Sequence, residues 1–174
     1  VCLLLLLPVL LGGCGASSSL VRYDISGDVE SLDPQFADEE NEQLVIYNIM
    51  EGLMCQLPSG ELTNGVIEGY DVSADQLTYT FHLRDGMVWD DAATVTAHDF
   101  VFAFQRIFNS IYPSPFASLY SAIRNSQQVL SGELQASELG VQATDDLTVV
   151  FTLSYADPSF LESLAHSSAM PCSQ

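Results

Sequence analysis

The sequence contains little positive charge: 4 Lys+Arg stand against 23 Asp+Glu, and the formal net charge is −19. A surface this acidic repels the phosphate backbone of nucleic acids, whose binding proteins carry basic patches. It is also repelled by a layer of acidic lipid headgroups. The composition therefore excludes nucleic acid as a partner, and any attachment to a membrane must depend on something other than charge.

The sequence also lacks the common signatures of catalysis. It has no G-x-S-x-G elbow, no H-E-x-x-H pair, no P-loop and no G-x-G-x-x-G turn. We therefore predict that the chain is not an enzyme and uses no cofactor. The alternative is a lipoprotein hydrolase whose catalytic triad is divided between this chain and residues outside it.

Signatures of metal binding are missing as well. Cys55 and Cys172 belong to no C-x-x-C pair, and no histidine lies at zinc-site spacing from them. The acidic residues between Asp38 and Glu42 lack the D-x-D-x-D-G spacing of a calcium loop. We predict no metal site. We expect Cys55 to be a buried free thiol, with a Cys55–Cys172 disulfide as the alternative.

No apolar run in the sequence is long enough to cross a membrane as a helix. The run in VCLLLLLPVLLGGCG covers about a dozen residues, whereas a spanning helix needs ~20. This length fits the hydrophobic region of a signal peptide, and the chain opens on Val1 without an initiator methionine or basic residues. We therefore expect residues 1–13 to be a signal peptide with a truncated start.

The small residues before Cys14 resemble a bacterial lipobox. In such a sequence the cysteine thiol is diacylated and the peptide is cut before it. Two acyl chains at ~0.8 kcal/mol per buried CH₂ hold an acidic protein on a membrane without help from charge. We expect Cys14 to carry the lipid and residues 14–19 to form a flexible tether. The alternative is a secretory peptide that merely contains a cysteine.

The rest of the chain has the composition of a folded protein. With 48% hydrophobic residues in a chain of 174, it can bury a core in one domain or slightly more. A β-rich run at residues 20–26 predicts a first strand. Alternating apolar residues predict three hairpins, at residues 52–62, 70–83 and 140–153. Apolar residues at helical spacing predict four helices, at residues 38–51, 96–108, 121–132 and 157–171. The mixed order of these elements predicts an α/β (α+β) fold around a mostly antiparallel sheet.

The stretch YTFHLRDGMVWDDAATVTAHDF, residues 79–100, holds the single tryptophan and two of the three histidines. Its first part alternates apolar and polar residues, so His82 is expected on the face opposite the aromatic stripe. Its last part begins a helix with Thr96 and Asp99 in the positions of a capping box. His98 and Asp99 are adjacent on that helix and do not face each other. The stretch therefore predicts a folding unit rather than a catalytic site.

Five blocks of the sequence, taken in order, resemble one protein family. They are SLDPQ (31–35), EGLMCQLPSGEL (51–62), YTFHLRDGMVW with TAHDFVFAFQRI (79–107), SPFASLY with LGVQATDDLTVVFTL (114–153) and FLESLAHSSAMP (160–171). In this order and spacing they resemble the family 5 extracellular solute-binding proteins of ABC importers, and among these the oligopeptide-binding type. Ala92 stands where the family has Gly, Thr94 where it has Pro, and Asn64 and Tyr70 replace a Pro and a Trp.

The resemblance implies a fold of the periplasmic-binding-protein-like type II. Two lobes of such a protein enclose the ligand, and an additional domain packs beside them. By this resemblance, residues 20–51 are the first part of lobe I and residues 52–171 are the additional α+β domain. Residues 172–174 diverge, and the remaining part of lobe I and all of lobe II are missing, so the chain is expected to be an N-terminal fragment.

The resemblance also implies a function and a set of ligand-facing residues. The chain would be part of a substrate-binding lipoprotein that delivers peptides to the permease and ATPase of an ABC importer. Its lipid anchor would hold it on the extracytoplasmic side of the bacterial membrane. Asp38, Glu39 and Glu40 would offer backbone groups at the mouth of the cleft, and Phe116 matches an aromatic residue that touches the ligand. The alternatives are a Phe116 that fills the domain's own core, and a different cargo such as nickel, heme or an oligosaccharide.

Overall fold

The computed structural model describes residues 25 and 27–173. The predicted signal peptide 1–13, the lipidation site Cys14, the tether 14–19 and nearly all of the predicted strand 20–26 lie outside these residues. Of that strand, Ile25 is described and has no regular secondary structure. None of the described helices has the length and apolar character that a membrane span requires.

The described residues contain six strands, which form three antiparallel hairpins. Their bounds are Met54–Gln56 (β1), Leu62–Asn64 (β2), Ile67–Val72 (β3), Thr78–Leu83 (β4), Val141–Asp145 (β5) and Thr148–Thr152 (β6). The first hairpin stands alone, and the other two join into one sheet in the order β3-β4-β6-β5. The central pair β4–β6 is antiparallel, with Thr80 opposite Val150. The three predicted hairpins and the mixed α/β fold are confirmed.

The core lies between one face of this sheet and helix α2 (Ala97–Ile107). Tyr79, Phe81 and Leu83 alternate with polar residues along β4 and are buried on that face, as their spacing predicts. Phe104 of α2 is fully buried, and its ring meets the ring of Phe151 edge-on with 4.9 Å between centroids. Edge-on aromatic pairs of this kind add to the stabilisation that burial provides.

Helix α2 begins with the predicted capping box. The Asp99 carboxylate accepts a hydrogen bond from the Thr96 N–H at 2.8 Å, and Trp89 Nε1 lies 3.4 Å from the same oxygen. His98 is not part of this arrangement, since its Nε2 lies 3.7 Å from an oxygen of Asp146 in the β5–β6 turn. The cap satisfies a backbone donor that would otherwise have no partner at the helix start.

Three further helices are shorter than α2 or differ from their predicted bounds. Helix α1 (Glu40–Ile49) ends before the expected stop at Gly52. Helix α3 covers only Ser126–Leu130, because Asn125 takes a left-handed conformation with φ of 65° and breaks the predicted helix 121–132. The last predicted helix is divided into α4 (Phe160–Ser163) and a short 3-10 turn, Ser167–Ala169.

Ala92 lies in the turn between Trp89 and the start of α2. Its N–H donates to the Trp89 carbonyl at 3.0 Å, and its φ is 69°. A positive φ in this range is easy for glycine and costs an alanine roughly 1–2 kcal/mol. The departure from glycine noted in the sequence therefore leaves the turn intact and places local strain in it.

Residues 27–51, which we call the arm, pack against residues 52–171, which we call the domain for short. Ile46 of α1 is fully buried in a small apolar cluster with Ala37 and Met170. The Glu51 carboxylate at the end of the arm accepts a hydrogen bond from Arg84 at 2.7 Å. The arm is thus attached to the domain through α1 and at its C-terminal end.

Candidate ligand-binding surface

The arm contains a turn at Asp33-Pro34. The Asp33 carbonyl accepts hydrogen bonds from the N–H groups of Phe36 and Ala37 at 3.0 and 2.8 Å. The Asp33 carboxylate also accepts the Gln35 N–H at 3.2 Å. Proline fixes φ at the second position of such a turn, and aspartate stabilises it through its side chain. The turn presents Gln35 to the domain, and Ala37, two residues later, is buried as well.

Arg106, in the last turn of α2, holds the turn of the arm. Its guanidinium donates to both carboxylate oxygens of Asp33, and one of these bonds measures 3.1 Å. The same group donates to the side-chain carbonyl of Gln35 and lies 5.5 Å from the centre of the Phe36 ring. Hydrogen bonding to Asp33 raises the pKa of Arg106. A bidentate arginine–carboxylate pair fixes the relative orientation of the two side chains as well as the distance between them.

Gln35 is fully buried and makes the central contacts of the arm with the domain. Its side-chain NH₂ donates to the carbonyls of Ser168 and Met170 at 3.3 and 2.9 Å. Its backbone carbonyl oxygen accepts a hydrogen bond from the Ser114 hydroxyl at 2.5 Å. A buried amide with its partners in place is a strong constraint, because each lost partner leaves an unsatisfied polar group.

The predicted residues Asp38, Glu39 and Glu40 lie at the start of α1 and are exposed. Within the described part of the chain, their side chains make no hydrogen bond. Glu42, the next acidic residue, is different. It is buried, and its carboxylate accepts the N–H groups of Glu30 and Ser31 at 3.1 and 2.8 Å. Glu42 therefore stabilises the arm, while the other three carboxylates face solvent.

Phe116 is half-buried and packs against the edge of the main core. Its ring lies 4.6 Å from the His166 ring, centre to centre. Its N–H donates to the Ser114 hydroxyl oxygen at 3.1 Å, and the same hydroxyl donates to the Gln35 carbonyl. One serine thus connects the Phe116 loop to the arm, a few residues before Asp38. The structure brings these two predicted segments together through Ser114.

Two neighbouring clefts open beside α1. The larger has a volume of about 590 Å³ and the smaller of about 300 Å³, and Tyr47, Gln56 and Ala165 line both of them. The smaller cleft is also lined by His166. Neither lining includes Asp38, Glu39, Glu40 or Phe116. Sequence reasoning missed Gln35 and His166; Gln35 had the weak signal of a polar residue beside a predicted turn, and His166 had none.

The two cysteines of the described region are free thiols. Cys55 is half-exposed rather than buried as expected, because it lies on the short β1 strand at the rim of the larger cleft. Burial raises the pKa of both thiols. Cys172 Sγ lies 3.2 Å from the Arg106 guanidinium. Cys172, which the sequence places in the divergent end 172–174, therefore contacts Arg106, the residue that holds the turn of the arm.

His166 and Ser168 form a serine–histidine pair, the arrangement that the hydrolase alternative calls for. Ser168 Oγ lies 2.9 Å from His166 Nδ1 and 2.7 Å from the Tyr120 hydroxyl. However, Ser168 is completely buried, and His166 Nδ1 also accepts the Ser168 N–H at 3.1 Å. A substrate has no access to this hydroxyl, so the pair is structural. Among the described residues, no cluster of histidine, cysteine or carboxylate groups is suited to a metal.

The comparison with known proteins agrees with this geometry. Residues 61–173 match the family model described as bacterial extracellular solute-binding proteins, family 5 Middle. The chain belongs to this family. The family is described by the binding of solutes, which points to a family of binding proteins rather than of enzymes. The resemblance noted in the sequence is confirmed.

Three relatives illustrate the relationship. The periplasmic oligopeptide-binding protein OppA of Salmonella typhimurium is 39% identical over 155 residues, which is 88% of this chain and 28% of the relative. The probable deoxycholate-binding periplasmic protein YgiS of Escherichia coli is 32% identical over 90% of this chain and 30% of its own length. The solved structure of Haemophilus influenzae OppA in complex with RPPGFSPFR matches with a TM-score of 0.77 at 36% identity, over 81% of this chain and 28% of that one. The chain thus spans less than a third of the length of these relatives.

Proposed function

We propose that this chain forms the arm and the adjoining domain of an extracytoplasmic receptor that captures peptides for an ABC importer. The observation that supports this most directly is the match to Haemophilus influenzae OppA, solved with a bound peptide, at a TM-score of 0.77 and 36% identity. The chain would supply one part of the binding site and no catalysis. The permease and ATPase subunits of the importer would be its partners.

The ligand-facing residues would be Asp38, Glu39 and Glu40 on the arm and Phe116 on the domain. Their support is that the three carboxylates are exposed and that Ser114 joins the two segments. Backbone groups of the arm would pair with an extended peptide, and the Phe116 ring would add an apolar contact.

A chimera tests the role of Phe116. Residues 27–173 would replace the matching segment of Salmonella typhimurium OppA, and peptide binding would be measured by titration calorimetry. Phe116→Ala should weaken binding about tenfold, which corresponds to roughly 1.4 kcal/mol, and leave the melting temperature nearly unchanged. Phe116→Tyr should bind as well as the parent chimera. A large fall in melting temperature for Phe116→Ala would instead assign the ring to the core.

Attachment to the membrane would depend on the Cys14 thiol. In the complete protein expressed in bacteria, Cys14→Ser should move the protein from the membrane fraction to the soluble fraction, because serine lacks the thiol that accepts the lipid. Cys55→Ser, which changes a thiol of the folded domain, should leave it in the membrane fraction. Sedimentation of the Cys14→Ser protein with membranes would place the anchor elsewhere.

A second candidate is a cargo other than a peptide, such as nickel, heme or an oligosaccharide. The relationship to YgiS, named as a probable deoxycholate-binding protein, favours a small amphipathic solute within this alternative. Ligands released by denaturing the protein purified from its source cells can be identified by mass spectrometry. Peptides would support the first proposal, and a bile acid, sugar, heme or metal chelate would replace it.

A further inference from the structure

Several contacts between the arm and the domain are made by one short segment, residues 166–170, which we call the anchor turn. Its carbonyls at Ser168 and Met170 accept the Gln35 side chain. Its Ser167 N–H donates to the Tyr47 hydroxyl of α1 at 3.0 Å. The Met170 side chain packs against Ala37 and Ile46 of the arm. The position of the arm therefore depends in part on the conformation of this turn.

The conformation of the anchor turn depends in turn on His166. The imidazole Nδ1 accepts the Ser168 N–H at 3.1 Å, which caps the 3-10 turn Ser167–Ala169. The Ser168 hydroxyl lies 2.9 Å from the same nitrogen and is itself 2.7 Å from the Tyr120 hydroxyl. Nδ1 can accept only while it carries no proton, so this arrangement requires a neutral imidazole with its proton on Nε2.

We propose that the anchor turn makes docking of the arm sensitive to pH: protonation of His166 turns Nδ1 from an acceptor into a donor and loosens the contacts of Gln35 and Tyr47. A protonated Nδ1 would face the Ser168 N–H and could donate only to the Ser168 hydroxyl, so the cap is lost and the turn loses one of the bonds that fix its conformation. The Gln35 and Tyr47 contacts are made by the backbone of that turn and change with it.

The surroundings of His166 favour its neutral form. Burial lowers the pKa of the imidazole below its ordinary 6.5. A histidine whose pKa is depressed by folding contributes stability that is present above pH 6.5 and is lost as the pH falls. The groups that face it are the Phe116 ring, the Ser168 hydroxyl and, across the smaller cleft, Glu162 and Tyr47. Within the described residues, no carboxylate is in hydrogen-bond contact with the ring, so nothing there compensates a positive charge directly.

Hydrogen–deuterium exchange of the full chain tests this inference. Protection factors, corrected for the intrinsic pH dependence of exchange, should fall at least about threefold for residues 33–50 between pH of about 7.5 and 5.5. The paired strands β4 and β6 should change less. His166→Asn places an amide oxygen near the position of Nδ1 and cannot titrate, so it should retain the protection of the arm at both pH values.

Two control variants and one direct measurement keep the outcome unambiguous. His82→Asn alters an exposed histidine on the far face of the sheet and should retain the fall in protection, as should Glu162→Gln. In the unmodified chain, the loss should follow the His166 titration measured by NMR. An equal fall in His166→Asn, or a midpoint that does not follow His166, would overturn the inference.

Discussion

Helices α1 and α2 have 10 and 11 residues, yet they are stabilised in different ways. Helix α2 buries Phe100, Phe104 and Ile107 in the main core, and its first turn is capped by a side chain. Helix α1 buries only Glu42 and Ile46, has no side-chain cap, and leaves apolar side chains such as Ile49 largely exposed, at 61%. The comparison shows that α2 belongs to the core of the domain, whereas α1 is held in place by a few contacts at the anchor turn, and Arg106 holds the turn that precedes it.

The largest effect should come from Phe104→Ala in α2. The substitution removes a fully buried ring that contacts Phe151 and Tyr120, and it should cost about 3–5 kcal/mol of unfolding free energy. Urea denaturation measures this loss as a shift of the whole transition. Phe102→Ala, at a half-buried position of the same helix, should cost clearly less. Equal losses of unfolding free energy in Phe104→Ala and Phe102→Ala would contradict the assignment of Phe104 to the core and of Phe102 to its periphery.

The matching change in α1, Ile46→Ala, should cost about 2 kcal/mol and should act locally. Ile46 packs only in the small cluster with Ala37 and Met170, so its loss should release the arm without unfolding the sheet. Hydrogen exchange should show faster exchange in residues 33–50 and unchanged exchange in β4 and β6. The control is Leu44→Ala, an exposed position of the same helix. A global loss of protection in Ile46→Ala would mean that arm and domain unfold as one unit.

The two helix starts provide a smaller test of the same contrast. Asp99→Ala removes the acceptor for the Thr96 N–H and should cost about 1–2 kcal/mol in urea denaturation. Glu39→Ala changes the N-cap residue of α1, whose side chain makes no capping hydrogen bond, and should cost less than about 0.5 kcal/mol. Similar losses for the two variants would contradict the difference in capping.

The smallest effect should be a gain. Ala92→Gly relieves the left-handed backbone in the turn before α2 and should raise the unfolding free energy by roughly 0.5–1 kcal/mol. Ala93→Gly, at the next position, has no such strain to relieve and should lower stability slightly. A loss of stability in Ala92→Gly, measured by thermal denaturation, would show that the turn is not strained in solution.

The elements that were predicted correctly are those whose signals are local. The period of two along β4 and the Thr96–Asp99 pair before α2 both lie within a few residues of the structure they specify. Helix α3 was overestimated because Asn125 and the contact of Ile123 with Leu153 interrupt a pattern that looks helical in sequence. Tertiary contacts outweigh weak helical propensity in this segment.

The candidate surface was only partly accessible to sequence reasoning. Asp38, Glu39, Glu40 and Phe116 came from the family resemblance, and their role stays a prediction. The anchor turn gave no signal, since Gln35 and Ser168 are 133 residues apart and a buried amide follows no periodic pattern. Contacts of this kind depend on how the finished fold brings distant segments together.

The strand order β3-β4-β6-β5 has a consequence for the time course of folding. Each outer hairpin forms from neighbouring residues, but pairing His82 with Thr148 closes a loop of roughly 65 residues. Closing it costs about 2.5 kcal/mol more in chain entropy than closing a four-residue hairpin turn. We therefore expect the rate-limiting step to be the meeting of two preformed hairpins beneath α2, so that Phe151→Ala slows folding more than Ile67→Ala does in stopped-flow measurements. Equal slowing by both variants would place the barrier in the formation of the hairpins themselves.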